Sequence, residues 1–307
     1  MISIVYHKIK KFDKKFEYDK FLHVKNFEKQ IRFFKNEYSF IDCKELFNKE
    51  KKFSKKDIFL TFDDGLKNHY QFVYPLLKKN KINGIFYVST LPFTEEKILP
   101  VHKNHIILSK IKNNIIMKYI NENLSKEFID NSNLKKFEKL IYKKQKNIDQ
   151  NVEIKKILNY SIKKEHRVKF INKMFNEFFP TISEKRFVKK YYMSEKELIE
   201  LVKAGMILGS HTVNHQVLSN LNFSEAKKEI NESLQYLDQF TKYKTFCYPY
   251  GSKNSYSDSI KNYLEKKNVS FSVTVTNKKI TNSDLMNNRQ EISRFDCNNF
   301  KYGKVFR

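Results

Sequence analysis

Short apolar runs alternate with segments of helical period in the first and last thirds of this chain of 307 residues. The runs at residues 2–6, 58–62 and 84–89 have the length and apolar character of buried strands. Residues 24–37 carry apolar side chains at the spacing of an amphipathic helix. Strands that alternate with helices predict an α/β fold built on a parallel sheet or barrel.

The alternation stops over residues 94–190, where the sequence is rich in Lys, Asn and Ile and keeps a helical period. We interpret this stretch as an inserted helical subdomain or lid. Residues 1–93 and 191–307 would then form the main domain together. The insertion contributes no recognisable strand to the predicted sheet.

Two helices of the last third have predicted starting points. Ser194 is a candidate N-cap, and Glu197 stands at the partner position of a capping box. A second helix, over about residues 224–240, is predicted to begin with Ser224 as its cap.

Composition and charge narrow the class of protein. A hydrophobic content of 40%, with 28 Phe and 18 Tyr, is typical of a globular protein and excludes a disordered one. The formal net charge of +26 would suit a nucleic-acid ligand. The lysines are spread along the whole chain, however, so nucleic acid is not expected as the main ligand. The positive charge would attract anionic lipid headgroups, or an acidic or phosphorylated sugar carrier, equally well.

The cysteines and the apolar runs bear on the compartment. Cys43, Cys247 and Cys297 are odd in number and far apart, which favours a reducing environment. The first residues do not have the pattern of a signal peptide. No apolar run approaches the roughly 20 residues that cross a bilayer. We therefore expect a cytoplasmic protein, with peripheral contact at an anionic inner membrane as an option.

Two clusters of polar residues follow predicted strands. Asp63 and Asp64 end the run at 58–62, and His211 and His215 follow another apolar run. One carboxylate with two imidazoles predicts an open metal site with positions left for water and substrate. The other carboxylate would act as a general base. Taken alone, an Asp-Asp-Gly sequence is also typical of an ordinary turn after a strand.

Three sequences, Thr61-Phe-Asp-Asp-Gly65, Ser210-His-Thr-Val-Asn-His215 and Tyr248-Pro-Tyr-Gly251, resemble motifs of the polysaccharide deacetylases, the NodB-homology proteins of carbohydrate esterase family 4. The third resembles a branch of that family with Tyr-Pro-Tyr-Gly in this place. The resemblance covers roughly residues 1–93 and 191–300. It implies a distorted parallel (β/α)7-type barrel, with residues 94–190 as a helical insertion.

The resemblance also implies roles for individual residues. Asp63 matches the catalytic base that takes a proton from a metal-bound water. Asp64, His211 and His215 match the three metal ligands, with Zn²⁺ as the default divalent metal. The backbone N–H of Tyr250 matches a donor to the oxyanion, a kind of interaction worth about 10²–10³ in rate.

The sequence departs from the family pattern in two places. Cys247 stands where members commonly carry an arginine that steadies the base, and Arg294 is our candidate substitute because it follows the last predicted strand. The closing Leu-x-His motif, which supplies the general acid, is not recognisable. His7, at the end of the first strand, is the preferred candidate for the acid, and His69 is the alternative.

The function implied is removal of an N-acetyl (or O-acetyl) group from a sugar. The sugar would belong to a bacterial surface glycan or to its nucleotide- or lipid-linked precursor. Two alternatives keep the same fold. One is a deformylase acting on a lipid-linked aminosugar, and the other is a catalytically silent glycan-binding relative.

Overall fold

The computed structural model describes residues 1–14, 17–130 and 150–305. Within them the apolar runs form a nine-stranded sheet whose strands all pair in parallel. The sheet forms a nearly closed barrel surrounded by helices, which confirms the fold predicted from the sequence. The central strands are buried along their whole length, as expected for parallel strands that are covered on both faces.

The strands of the main sheet follow one another in the spatial order β10, β9, β8, β7, β6, β5, β1, β11, with β4 beside β5. A separate pair, β2 with β3, forms a small parallel ribbon. In chain order the strands are β1 (Ile2–Tyr6), β2 (Ile9–Lys10), β3 (Leu22–His23), β4 (Ser39–Phe40), β5 (Asp57–Phe62), β6 (Gly84–Val88), β7 (Ile207–Ser210), β8 (Thr245–Cys247), β9 (Phe271–Thr274), β10 (Ile292–Ser293) and β11 (Phe295–Asp296).

The two ends of the main sheet are formed by neighbouring residues of the chain. Strand β10 pairs with β9, where Ser293 lies opposite Thr274. Strand β11 pairs with β1, where Phe295 lies opposite Ile4. Arg294 is the single residue between β10 and β11, so it lies where the two ends of the sheet come together.

The described helices connect the strands and make up the segment between β6 and β7. They are α1 (Val24–Glu37), α2 (Tyr74–Lys79), α3 (Leu91–Thr94), α4 (Pro100–Lys110), α5 (Asn113–Asn123), α6 (Gln150–Lys156), α7 (Lys164–Phe178), α8 (Glu184–Tyr191), α9 (Glu195–Lys203), α10 (Phe223–Leu237), α11 (Asp258–Lys266) and α12 (Asn282–Asn287). None of the described helices is long and apolar enough to span a membrane.

One predicted helix start is confirmed and the other is wrong. Ser194 caps α9 and forms the predicted capping box with Glu197. Helix α10 begins earlier than expected because Asn222, and not Ser224, is its cap. The Asn222 side chain accepts from the backbone N–H of Glu225 at 2.9 Å, and the Glu225 carboxylate accepts from the backbone N–H of Asn222 at 3.0 Å.

Aromatic packing in the core fixes the ends of the first strands. Tyr6 ends β1 and Phe62 ends β5, and their rings stack with centroids 5.4 Å apart. Phe62 also stacks on Phe86 at 4.8 Å. All three side chains are fully buried. The last residues of β1 and β5 are therefore closely packed, which fixes where the residues that follow these strands begin.

The chain forms two compact units. The first contains the barrel and comprises Met1–Phe12, Phe21–Lys97 and the residues from Val188 onwards. The second comprises Asp13–Lys20 and Ile98–Phe187. The domain boundaries predicted at residues 94 and 190 stay predictions, and residues 131–149 of the predicted insertion lie outside the described residues.

Within the second unit, α4 carries a buried ammonium group. The side chain of Lys103 is 2.8 Å from the Glu184 carboxylate and donates to the side-chain oxygen of Asn172 at 2.7 Å. Its ammonium group also lies 5.4 Å from the ring centroid of Phe175. These contacts compensate the burial of the charge and join three helices of this unit.

Candidate active site

The candidate site residues follow directly on the carboxyl ends of barrel strands. Strand β1 leads into His7, β5 into Asp63 and Asp64, and β7 into His211. Strand β8 ends at Cys247. Because parallel strands bring their carboxyl ends to one face of a barrel, residues distant in sequence meet there.

Asp63 and Arg294 form a buried, bidentate ion pair. The guanidinium donates to Asp63 Oδ1 at 2.7 Å and to Asp63 Oδ2 at 2.8 Å. Arg294 is 1% exposed and Asp63 is 2% exposed. Burial alone would raise the pKa of Asp63, but the charge and hydrogen bonds of the Arg294 guanidinium, together with the His211 and His7 rings, outweigh burial, and the pKa lies below its ordinary value. Asp63 is therefore ionised at neutral pH.

Further contacts fix the guanidinium of Arg294. It donates to Thr61 Oγ1 at 3.0 Å, to the Thr274 carbonyl at 3.2 Å and to Cys247 Sγ at 3.0 Å. The Cys247 thiol in turn donates to Asp63 Oδ2 at 3.4 Å. The structure thus places Arg294 against the carboxylate that the sequence analysis assigned to it. Its part in a reaction stays a prediction.

Asp64, His211 and His215 form a second buried cluster. Asp64 Oδ1 lies 3.6 Å from His211 Nε2 and 3.5 Å from His215 Nε2. His211 Nδ1 is 2.8 Å from the Cys247 carbonyl oxygen. Since a carbonyl can only accept, Nδ1 carries the proton and Nε2 presents a lone pair toward Asp64. Burial lowers the pKa of His211, which favours the neutral ring.

These three side chains fit a divalent metal ion. One carboxylate oxygen and two imidazole nitrogens lie within 4.8 Å of one another, and they are donors that suit zinc and related metals. Among the described residues, Asp63, His211 and Cys247 also lie this close together. That set fits poorly because the positively charged Arg294 guanidinium lies against the Asp63 carboxylate and would repel a cation there. Burial also raises the pKa of the Cys247 thiol, which keeps it protonated.

The site contains several residues in the left-handed backbone region, which side chains rarely adopt. The φ values are +80° at Asp64, +65° at Thr212, +56° at His215 and +64° at Tyr250. Such conformations cost of order 1–3 kcal/mol each and persist where surrounding contacts impose them. The half-buried Tyr250 lies beside the metal cluster, with its ring centroid 5.2 Å from that of His215. The role of its backbone N–H stays a prediction.

His7 and His69 occupy very different environments. His7 Nε2 is 3.9 Å from Asp63 Oδ2, and its side chain is 51% exposed. His69 is fully buried, packs against Phe62 and Phe86, and its Nε2 donates to the His7 carbonyl at 2.6 Å. Burial lowers the pKa of His69 to about 4. His7 is thus the histidine that a substrate can reach, and His69 holds the main chain of His7.

Glu229, which was not predicted from the sequence, contacts the loop that joins His211 to His215. It lies on α10, is 6% exposed and accepts hydrogen bonds from the backbone N–H groups of Val213 and Asn214. A signal for it was present. Glu229 falls on the apolar face of its helix, where the spacing of Ala226 and Ile230 predicts burial.

A comparison with family models relates this chain to a known family. The model described as polysaccharide deacetylase matches residues 50–120 and 166–272. The matched ranges contain Asp63, Asp64, His211, His215 and Tyr250. His7 and Arg294 lie outside them.

Solved structures show the same fold. The Streptococcus pyogenes deacetylase PplD, determined in complex with acetate, is 16% identical and has a TM-score of 0.57, with 96% of this chain and 91% of that chain covered. IcaB from Ammonifex degensii is 14% identical, with a TM-score of 0.55 and coverage of 96% and 90%. A de-N-acetylase from Aggregatibacter actinomycetemcomitans is 12% identical, with a TM-score of 0.53 and coverage of 96% and 93%.

No curated protein matches the chain by sequence. The family model, however, covers more than half of the 307 residues and both metal-site motifs. The chain belongs to the polysaccharide deacetylase family, whose members are hydrolases that act on acetylated carbohydrates.

Proposed function

We propose that this protein is a metal-dependent deacetylase that hydrolyses an N-acetyl (or O-acetyl) group of a sugar. The sugar belongs to a bacterial surface glycan or to its nucleotide- or lipid-linked precursor. One observation carries the proposal. Asp63 is an ionised carboxylate held by the buried Arg294. The next residue, Asp64, faces the imidazoles of His211 and His215.

Asp63 is the general base in this proposal. Its low pKa keeps it ionised, and the bidentate contact with Arg294 fixes the plane of the carboxylate. It accepts the proton of the attacking water, and Arg294 acts as a positioning residue. General base catalysis of this kind contributes about 10²–10⁴ in rate.

Asp64, His211 and His215 would hold the divalent metal, with Zn²⁺ as the default. A metal bound there supplies Lewis-acid polarisation of the acyl carbonyl and lowers the pKa of water. The backbone N–H of Tyr250 donates to the oxygen on which negative charge develops. His7 gives a proton to the departing amine, since its exposed ring lies beside Asp63.

The substrate carrier is proposed from charge. A net charge of +26 favours an anionic carrier such as a sugar nucleotide or a lipid phosphate, and it would also favour peripheral contact with anionic membrane. A cytoplasmic location would suit such a precursor. The uniform spread of lysines gives no support to nucleic acid as the main ligand.

Acetate release from N-acetylated sugars, sugar nucleotides and lipid-linked sugars tests the proposal. Zinc-loaded protein should release acetate, and a chelator should stop the reaction. Asp63→Asn should lower kcat by about 10²–10⁴ with the metal content unchanged. Asp258→Asn, a matched change at an exposed carboxylate, should have no effect.

Three outcomes separate the competing functions. Release of formate in place of acetate would identify a deformylase with the same site. Sugar binding without release of either acid would identify a silent glycan-binding protein. Full turnover by the Asp63→Asn protein would remove Asp63 from its assigned role.

A further inference from the structure

Glu229 is a buried carboxylate, and within the described residues the hydrogen bonds that it accepts all come from neutral groups. Its Oε2 accepts from the backbone N–H of Val213 at 3.0 Å and of Asn214 at 2.8 Å. Its Oε1 accepts from the Asn214 side-chain amide at 2.6 Å and from that of Gln216 at 3.5 Å. All four donors belong to the segment 213–216, which carries the second metal-site histidine.

The other side of this segment is also fixed. The carbonyl of Thr212 accepts from the backbone N–H of Thr90 at 3.1 Å, and the carbonyl of Val213 accepts from that of Leu91 at 3.1 Å. Thr212 and His215 both have positive φ values, and the Thr212 hydroxyl accepts from the His215 backbone N–H at 3.0 Å. Contacts from two elements therefore impose a strained backbone on this loop.

We propose that Glu229 is a positioning residue that holds His215 in the geometry required to bind the metal. This rests on the proposed function, because it assumes that Asp64, His211 and His215 bind a divalent ion. By anchoring the two residues before His215, Glu229 fixes the direction from which that imidazole meets Asp64. Outer partners that orient ligands in this way contribute about 10–100-fold in metal affinity.

The test is metal affinity measured by competition with a chelating dye on purified, metal-free protein. Glu229→Gln keeps the shape and one acceptor but loses the charge, so its Kd for Zn²⁺ should rise about 10-fold. Glu229→Ala loses every acceptor and should raise the Kd about 100-fold. Glu232→Gln removes an exposed carboxylate from the same helix and should leave the Kd unchanged.

A double-mutant cycle with His215→Ala separates positioning from general stabilisation. If Glu229 acts through His215, Glu229→Gln should add almost nothing to the loss of Zn²⁺ affinity caused by His215→Ala. Fully additive losses would overturn the proposal. So would a lower melting temperature of the metal-free Glu229 variants with an unchanged Kd for Zn²⁺. Wild-type protein that binds no Zn²⁺ would instead overturn the proposed function itself.

Discussion

Replacing Arg294 by Met tests the interaction that holds Asp63, the proposed general base. Met keeps much of the length and apolar volume of the arginine side chain but carries neither charge nor donor. The substitution leaves the Asp63 carboxylate buried at 2% exposure without the guanidinium that contacts both of its oxygens. It also removes the donors to Thr61 and to the Thr274 carbonyl.

The expected cost follows from burial. Removing one partner of a buried ion pair destabilises a protein by about 3–5 kcal/mol, because the remaining charge is left uncompensated. Removing the second charge as well, in Asp63→Asn with Arg294→Met, should recover part of this. We expect the double variant to be about 2–3 kcal/mol more stable than the sum of the two single changes predicts.

The pH dependence gives a second, independent signature. In the wild type the folded pKa of Asp63 is lowered, so its contribution to stability is complete above the ordinary carboxyl pKa of about 4 and is lost as pH falls through the folded value. Arg294 is the main group that opposes the effect of burial, so its loss should raise the folded pKa of Asp63. The variant should then lose stability as pH rises from about 4, so its deficit should grow toward neutral pH.

Urea unfolding of the metal-free proteins, followed by circular dichroism between about pH 4 and pH 8, measures both effects. Arg294→Lys serves as the control that keeps the charge but loses the bidentate geometry. It should recover the pH dependence in part. The reasoning would be refuted by single changes whose costs add within about 0.5 kcal/mol and by a deficit that is constant with pH.

Two further predictions address the acid and the backbone. His7→Gln should lower kcat by about 10²–10⁴ while the metal content stays constant; an unchanged kcat would exclude His7 as the acid. Gly251→Ala places a Cβ 2.8 Å from Val275 Cγ2 in a backbone with φ of +61°, so urea unfolding should show a loss of at least about 1 kcal/mol. An unchanged midpoint would show that this turn relaxes freely.

The cluster of Asp64, His211 and His215 was predictable because its members stand in short local patterns. Asp63 and Asp64 are adjacent, and His211 and His215 are four residues apart. Each pair follows an apolar run that the structure shows to be a parallel strand. The alternation of strands and helices then predicts that these strand ends meet on one face. Sequence patterns of this length predict the fold and bring these side chains together, while their roles as metal ligands stay a prediction.

The partners that come from elsewhere in the chain were harder to predict. Arg294 and Asp63 are 231 positions apart in the sequence. Only the position of Arg294 directly after the last predicted strand suggested that the two residues would be in contact. Glu229 was overlooked because a glutamate on an amphipathic helix is usually assigned to solvent. The helix start at Asn222 was missed although Glu225, three residues on, completes its capping box, whereas Ser224 has Lys227 in that place.

Arg294 lies between β10 and β11, the two short strands at the ends of the main sheet. It therefore links the Asp63 carboxylate to these strands. Each of these strands pairs with its neighbour through only two residues. Local opening costs the least free energy where a strand at the end of a sheet is this short. Fraying of β11 from β1 would carry the guanidinium away from Asp63. The Asp63 carboxylate would then lose its guanidinium partner while most of the barrel stays folded. Activity is therefore expected to disappear under milder conditions than those that unfold the whole protein, because Arg294 both connects the two ends of the sheet and holds Asp63.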